Sequence, residues 1–511
     1  MAAVGGVAAG PLRAPGAVLL VSCYELGRRP VAVATALDGL SRAGFSPAAR
    51  DLAVEPLDEA QLARARLVLI SVPMHTALRL GVRVAARARA ASPGVHIGMF
   101  GLYAALNREH LLGSHCDSVV GGESDQPLAA LAEAIDRGLA QPDASARAPS
   151  GLPDAPVAAV STRAFPAAQP LHRAARVVRP GAPAAGPGAA LPLLDRYARL
   201  ELGGERRLVA TVEASRGCLH LCRHCPVVPV YQGRFVAVPR EEVLASLAAQ
   251  VEAGARHVTF GDPDFFNGPT HAEKLARELH ARWPELTFDA TIKVEHLLAH
   301  RALLPGLAAA GCLFVTTAVE ALNDRVLAAL AKGHTAAEVP VALRLARSAG
   351  LELRPTLLPF TPWSALEDLP ALFDFAEEHD LVDQIDPVQY TLRLLLPPGS
   401  AVLTGAGASR PSNSSITTPI STSQPPSWLG AFDAERFTWR WTHPDPRVDA
   451  LQAAMAALAE AHSTAGRPPR ETFAALRALA EVAVGRSPRG PEAFVPRPER
   501  TVPRLSEPWF C

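Results

Sequence analysis

The chain has 511 residues, 49% of them hydrophobic and 20% charged, enough for two or three domains, because single cores stop growing near roughly 250 to 300 residues. Fifty basic side chains balance fifty acidic ones, which excludes a general electrostatic affinity for nucleic acid or anionic membrane. Seven cysteines, an odd and sparse set with three crowded into "CLHLCRHC", exclude a secreted disulfide framework and favour a reducing cytoplasm.

The first apolar run, Ala17 to Val21, is far shorter than the ~20 residues of a membrane span and lacks a small-residue cleavage site. It reads as a buried strand. From there to residue 139, short apolar runs ("AVLLVS", "ARLVLISVP", "GVHIGMFG", "CDSVVGG") alternate with helical stretches at Pro30 to Ala43, Thr76 to Ala91, Asn107 to Leu112 and Gln126 to Leu139. That alternation predicts an α/β domain, a doubly wound, Rossmann-like parallel sheet over 1–139. Residues 140–195 are rich in Pro, Ala, Gly and Arg without periodicity and read as a linker.

A second alternation fills 196–403. Its candidate strands are Leu208 to Glu213, His257 to Gly261, Leu286 to Lys293, Leu313 to Glu320, Leu351 to Pro359 and Ile385 to Leu395. Between them lie amphipathic segments such as "REEVLASLAAQVEAG". Six such units in this length predict a partial (βα)6 barrel rather than a full eight-unit one. Residues 404–428 form a Ser/Thr/Pro-rich insertion expected to be disordered. Residues 429–485 read as a small helical region, with helices at Val448 to His462 and Arg470 to Val484, and 486–511 as a Pro-rich extended tail.

Cys218, Cys222 and Cys225 lie just past the first barrel strand, on the face that carries the active site in βα barrels. Three chemistries use such a trio. Zinc would need a fourth donor, which His220 or His224 offers, although no second cysteine pair exists. Buried structural thiols rarely cluster this way. An iron-sulfur cubane held by three thiolates leaves one iron open to a small molecule.

The Cys-x3-Cys-x2-Cys spacing in this position resembles the radical S-adenosylmethionine (SAM) superfamily. The resemblance implies a 4Fe-4S cluster whose open iron chelates SAM, one-electron cleavage of SAM to a 5′-deoxyadenosyl radical, and an electron donor such as a flavodoxin or ferredoxin. "HVTFGDPDFFNGP" resembles the superfamily's second-strand motif and places Gly261, Asp262 and Asp264 near the methionine part of SAM; either aspartate also suits a turn or helix cap. "FVTTAVEALNDRVLAALAKGHTAAEVPVALRLARSAGLEL" resembles the fourth strand and helix, putting Glu320 and Lys332 near the cofactor. Asn323 fits a helix N-cap, and Lys332-Gly333 equally fits a basic last turn with a Gly stop. His224 stands where an aromatic residue is usual, and Thr361, Pro362 and Trp363 replace small residues of the adenine-side loop.

A Rossmann-like domain ahead of such a barrel resembles the cobalamin-binding class of radical SAM enzymes. In "SCYELG", Gly27 keeps the register of that class's Asp-x-His-x-x-Gly motif, but Ser22 and Tyr24 replace Asp and His, which excludes an axial imidazole from it. Cobalamin bound without a protein histidine, or a domain that has lost the ligand, remain. Ser71, Gly121, Gly122 and Glu123 are candidates to line the crevice. The terminal Cys511 after "RLSEPWF" resembles radical SAM proteins ending in Cys-Sec-Ala-Glu-Pro or Cys-Cys-Ala-Glu-Pro, and implies an expected continuation through selenocysteine. Cys116 and Cys312 read as buried structural thiols. The expected activity is SAM cleavage acting on a small molecule or peptide, with cobalamin-dependent methyl transfer as elaboration; a non-catalytic iron-sulfur sensor and a zinc-stabilised binding module are the alternatives. No segment interleaves basic and aromatic residues, so nucleic acid is not an expected partner.

Overall fold

The computed structural model describes residues 10–139, 157–164, 191–404, 426–489 and 502–507. They divide into two compact units, the first running to Tyr197 and taking in Glu241–Ala253, the second holding Ala198–Arg240 and Gly254 onward.

The first unit is built on a sheet of β1 (Val18–Ser22), β2 (Ala48–Asp51), β3 (Leu67–Ser71), β4 (His96–Phe100), β5 (Ser118–Val120) and β6 (Val160–Thr162), ordered β2-β1-β3-β4-β5-β6. Strands β1 to β5 are parallel. Every residue of β1, β3 and β4 is buried, as expected of parallel strands covered on both faces, whose sequences run continuously apolar. Ser22, Asp51 and Ser71 end the first three strands and are all buried. Two strands were not expected. "AARD" of β2 is short and half polar, and β6 pairs antiparallel with β5 from within the segment read as a linker. The remainder of that segment, 140–156 and 165–190, lies outside the described residues.

The second unit holds a sheet ordered β14-β13-β12-β11-β8-β7-β17. Its elements are β7 (Arg199–Leu202), β8 (Glu205–Val212), β11 (His257–Phe260), β12 (Thr287–Thr291), β13 (Cys312–Glu320), β14 (Glu352–Leu357) and β17 (Arg504–Leu505). Strands β8 and β11 to β14 run parallel, a half-barrel, while β7 and β17 add antiparallel at the edge. A separate two-stranded ladder joins β9 (Ser215–Gly217) to β10 (Phe235–Ala237). Polar residues inside the half-barrel satisfy one another: Asp289 Oδ1 accepts from Thr259 Oγ1 at 2.6 Å and meets His257 Nε2 at 2.9 Å. Such groups are tolerated in a core only when paired.

The sixth expected strand, Ile385 to Leu395, is a correction. Pro387 opens a 3-10 helix, Pro387–Thr391, and a single bridge between Phe360 and Arg393 replaces a ladder. Proline fixes φ and removes a ladder donor, which explains why an apolar run failed to pair.

The C-terminal region supplies the two expected helices, Pro446–Thr464 and Pro469–Ala483, and an unexpected hairpin of β15 (Leu429–Asp433) and β16 (Thr438–Trp441). Trp441 packs with Leu327, Leu330, Leu394 and Leu396, and its indole Nε1 donates to Leu394 O at 2.8 Å. Residues 405–425 of the expected insertion and Cys511 lie outside the described residues. Among the described residues no helix is long and apolar enough to cross a membrane.

Candidate functional site

The cysteine loop is fixed at both ends before any ligand is considered. Gly217 pairs with Phe235 in the β9-β10 ladder, so the chain from 218 to 234 is closed on itself. Gly217 has φ +77°, and a Cβ there would lie 2.5 Å from Arg234 O; only glycine fits. Asn267, which sequence reasoning missed, clamps both sides of Cys218. Its Oδ1 accepts from Leu219 N at 3.0 Å and its Nδ2 donates to Gly217 O at 3.2 Å. The far side is held by Arg223 N donating to Leu330 O at 2.9 Å and by Cys225 N donating to Cys222 O at 3.1 Å.

Cys218 and Cys222 are buried and Cys225 half-buried. Loss of solvation pushes the Cys218 thiol up to about 12 and the Cys225 thiol up to about 11; the charges of Cys225 and Cys222 would raise Cys218 further, and that of Cys222 would raise Cys225. Cys218 and Cys225 thus each lie close enough to Cys222 for its charge to oppose their ionisation. A cationic group that displaces their protons would relieve that conflict. Donor type, number and convergence fit an iron-sulfur cluster held by three thiolates.

Glu320 ends β13 and is buried with φ +65°, a left-handed conformation uncommon for glutamate. Its Oε1 accepts from Lys332 Nζ at 3.1 Å and from His224 Nε2 at 3.3 Å. Burial would raise this carboxyl, yet the Lys332 ammonium and His224 hold it down to about 2. Burial likewise opposes the charge on Lys332, and the Glu320 carboxylate outweighs it, leaving the ammonium above its ordinary value. The exposed basic turn that Lys332-Gly333 suggested is thus not formed by the side chain: Lys332 is 3% exposed and points into this pair. Its charge also acts on Cys225. Glu320, Lys332, His224 and the thiols belong to one constellation.

The second-strand residues are employed differently from one another. Gly261 N donates to Val212 O at 2.8 Å, continuing the sheet. Asp262 Oδ2 accepts from Ala214 N at 2.8 Å and Oδ1 from Ser215 Oγ at 2.6 Å, so its carboxylate braces the segment leading into the cysteine loop. Burial pushes its carboxyl up to about 7 against the pull of those donors. Asp264 Oδ1 caps Phe266 N at 3.0 Å. Asn323 Oδ1 accepts from Arg325 N at 2.9 Å, the expected N-cap. Replacing Asp262 by Ala removes the acceptor of both the Ala214 N–H and the Ser215 hydroxyl and should cost about 1–3 kcal/mol. Thermal melting, together with iron retained after reconstitution, measures it; Ser215→Ala should cost less, since the Ala214 bond survives.

Residues 212–373 match the radical SAM superfamily. The tRNA-2-methylthio-N(6)-dimethylallyladenosine synthase of Pseudomonas paraeruginosa is 28% identical over 167 residues, covering 31% of this chain and 37% of that protein. The ribosomal protein uS12 methylthiotransferase RimO of Chlorobium chlorochromatii is 26% identical over 206 residues, covering 36% of this chain and 44% of that protein. The chain therefore spans less than half the length of these curated relatives. In overall fold the chain is similar to the radical SAM methyltransferase TsrM from Kitasatospora setae, solved with tryptophan and a SAM analogue, at a TM-score of 0.55 and 17% identity over 71% of each chain. It is also similar to the cobalamin-dependent SAM radical enzyme OxsB, solved with aqua-cobalamin, at a TM-score of 0.60 and 13% identity over 91% of this chain and 71% of that one. The half-barrel with its cysteine loop is a radical SAM domain, set in a fold that cobalamin-dependent radical SAM enzymes share.

Proposed function

We propose that this protein is a radical SAM enzyme that binds a 4Fe-4S cluster through Cys218, Cys222 and Cys225 and cleaves SAM reductively, with methyl transfer through cobalamin as its reaction on substrate. The observation that carries the reading is a single closed loop holding three cysteines, anchored at Gly217 and Asn267, with Cys225 within the field of the buried Glu320-Lys332 pair. When bound, the cluster supplies the electron that splits SAM into methionine and a 5′-deoxyadenosyl radical. The chain's own part is to hold the cysteine loop rigid, to exclude water from Cys218 and Cys222, and to keep an ionised Glu320 ready as an acceptor for the cofactor. We assign Gly261 and Glu320 to SAM, Asp262 to bracing and Asp264 to the turn beside it.

Cobalamin would be taken by the first unit. The buried Ser22, Asp51 and Ser71 close the ends of three strands where doubly wound sheets take ligands. Tyr24 holds the position of the motif histidine, so this motif offers no imidazole to cobalt.

Anaerobic reconstitution with iron and sulfide, then dithionite and SAM, tests the first half. Release of 5′-deoxyadenosine without substrate is expected; a chain that takes up iron and sulfide but never yields it would leave only an iron-sulfur binding protein. Purification with hydroxocobalamin present tests the second half, with a stoichiometric corrinoid spectrum as the expected result.

A further inference from the structure

Next to the cysteine loop, three side chains from three successive loops at the carboxyl end of the half-barrel approach one another. His220 lies between Cys218 and Cys222, Asp264 follows β11, and His296 sits in the helix Val294–Ala299 after β12. His220 Nε2 is 3.1 Å from His296 Nε2 and 3.6 Å from Asp264 Oδ2, and His296 Nδ1 is 2.9 Å from Asp264 Oδ2. One ligand atom from each residue can be chosen so that all lie within 4.8 Å of one another.

Hydrogen bonding alone leaves this group incomplete. Asp264 is fully buried; its Oδ1 is committed to Phe266 N, while its Oδ2 has no hydrogen-bond partner. His296 Nδ1 is buried and likewise without one, although the two atoms are neighbours. The ring nitrogen is close but not aimed at the oxygen. Such an off-axis approach is poor for a hydrogen bond and is what two ligands of a common ion adopt, since each then points at the ion. In a tetrahedral site with metal bonds of about 2.0–2.1 Å, ligand atoms stand roughly 3.3 Å apart, and the separations of Asp264 Oδ2 from His220 Nε2, 3.6 Å, and from His296 Nδ1, 2.9 Å, lie on either side of that spacing. The surroundings agree: His220 Nδ1 is 3.4 Å from Glu295 Oε2, the outer carboxylate that commonly orients a metal-binding imidazole.

We propose that His220, Asp264 and His296 hold a zinc-class divalent cation, distinct from the three-thiolate centre and independent of the SAM reading. Two imidazoles and one carboxylate suit zinc and its neighbours rather than magnesium or calcium. The ion would tie the cysteine loop to the ends of β11 and β12, with its fourth position open to water or a substrate atom. Without an ion, the contact between His220 Nε2 and His296 Nε2 remains, and the Asp264 Oδ2 beside it stays without a hydrogen-bond donor.

The test uses the full chain, reconstituted with iron and sulfide, stripped with chelator and titrated with zinc, with iron and zinc counted by mass spectrometry. About one zinc per chain is expected beside about four irons. His296→Ala, its conservative variant His296→Gln, and Asp264→Asn should each weaken zinc binding at least about 100-fold. His300→Ala, whose ring centroid is 5.5 Å from that of His296, should not. The chain lacking all three cluster thiols, with Cys218, Cys222 and Cys225 replaced by Ser, should keep its zinc. Absence of stoichiometric zinc in the unaltered chain, retention of tight binding in both His296→Gln and Asp264→Asn, or loss of zinc with the thiols overturns the proposal. 5′-Deoxyadenosine release is scored separately, so the two readings fail separately.

Discussion

Cys222→Ala is expected to bring iron, sulfide, the visible absorbance of the cluster and all 5′-deoxyadenosine release down to background. The same loss should follow from Cys218→Ala or Cys225→Ala, because a loop closed by the β9-β10 ladder has no slack with which another side chain could take over. Cys312→Ala is the control. That thiol is buried at the start of β13, its replacement should cost about 1 kcal/mol in packing, and the cluster should remain. Elemental analysis and a single-turnover assay on the four variants distinguish the outcomes; a Cys222→Ala chain that still releases 5′-deoxyadenosine would remove the trio from the reaction.

Lys332→Met should destabilise the protein by about 3–5 kcal/mol, because it strands the Glu320 carboxylate in the interior with only His224 for company. Both partners are nearly inaccessible, at 3% and 11% side-chain exposure, so solvent does little to screen the loss. The double variant Lys332→Met with Glu320→Gln should recover most of the stability, since it removes the charge as well as its partner. It should not recover SAM cleavage if Glu320 serves the cofactor. Denaturant unfolding and 5′-deoxyadenosine release measured on both variants separate a brace from a functional acceptor. The pair also carries a pH signature. A carboxyl held down to about 2, against an ordinary 4.5, contributes its full stabilisation above about pH 4.5 and loses it as the pH falls towards 2. Comparing melting of the unaltered chain with that of Glu320→Gln across this window should show the difference closing at the acid end.

How much of this was legible in the sequence follows from which interactions are local. The strands β1, β3 and β4 announced themselves because double-sided burial leaves an unbroken apolar run, whereas "AARD" in β2 carries no such mark and β6 hides in a Pro-rich stretch. "PVQYTLRLLLPP" has the composition of a strand, but the prolines decide against it. The cysteine trio was legible because chelation of one cluster by one loop fixes the spacing along the chain. The employment of Asp262 was not: whether it faces a cofactor or the Ala214 N–H depends on a contact 48 residues away. Asn267 was missed for the same reason, since nothing next to it reveals an amide reaching back to Gly217. Lys332 was ambiguous because a helix end beside a glycine looks alike whether its lysine points outward or into a buried pair.

The left-handed φ at Glu320, stored where β13 shifts register against β14 between Ala318 and Glu320, means that folding has already met a conformational cost of about 1–3 kcal/mol. Lys332 and His224 keep the carboxylate from relaxing out of that posture. A ligand arriving there finds its receptor atoms prearranged, so association need not reorganise the strand end. Amide exchange around residues 318–321 should therefore be slow even in the ligand-free protein and change little on saturation, in contrast to a site that closes around its guest.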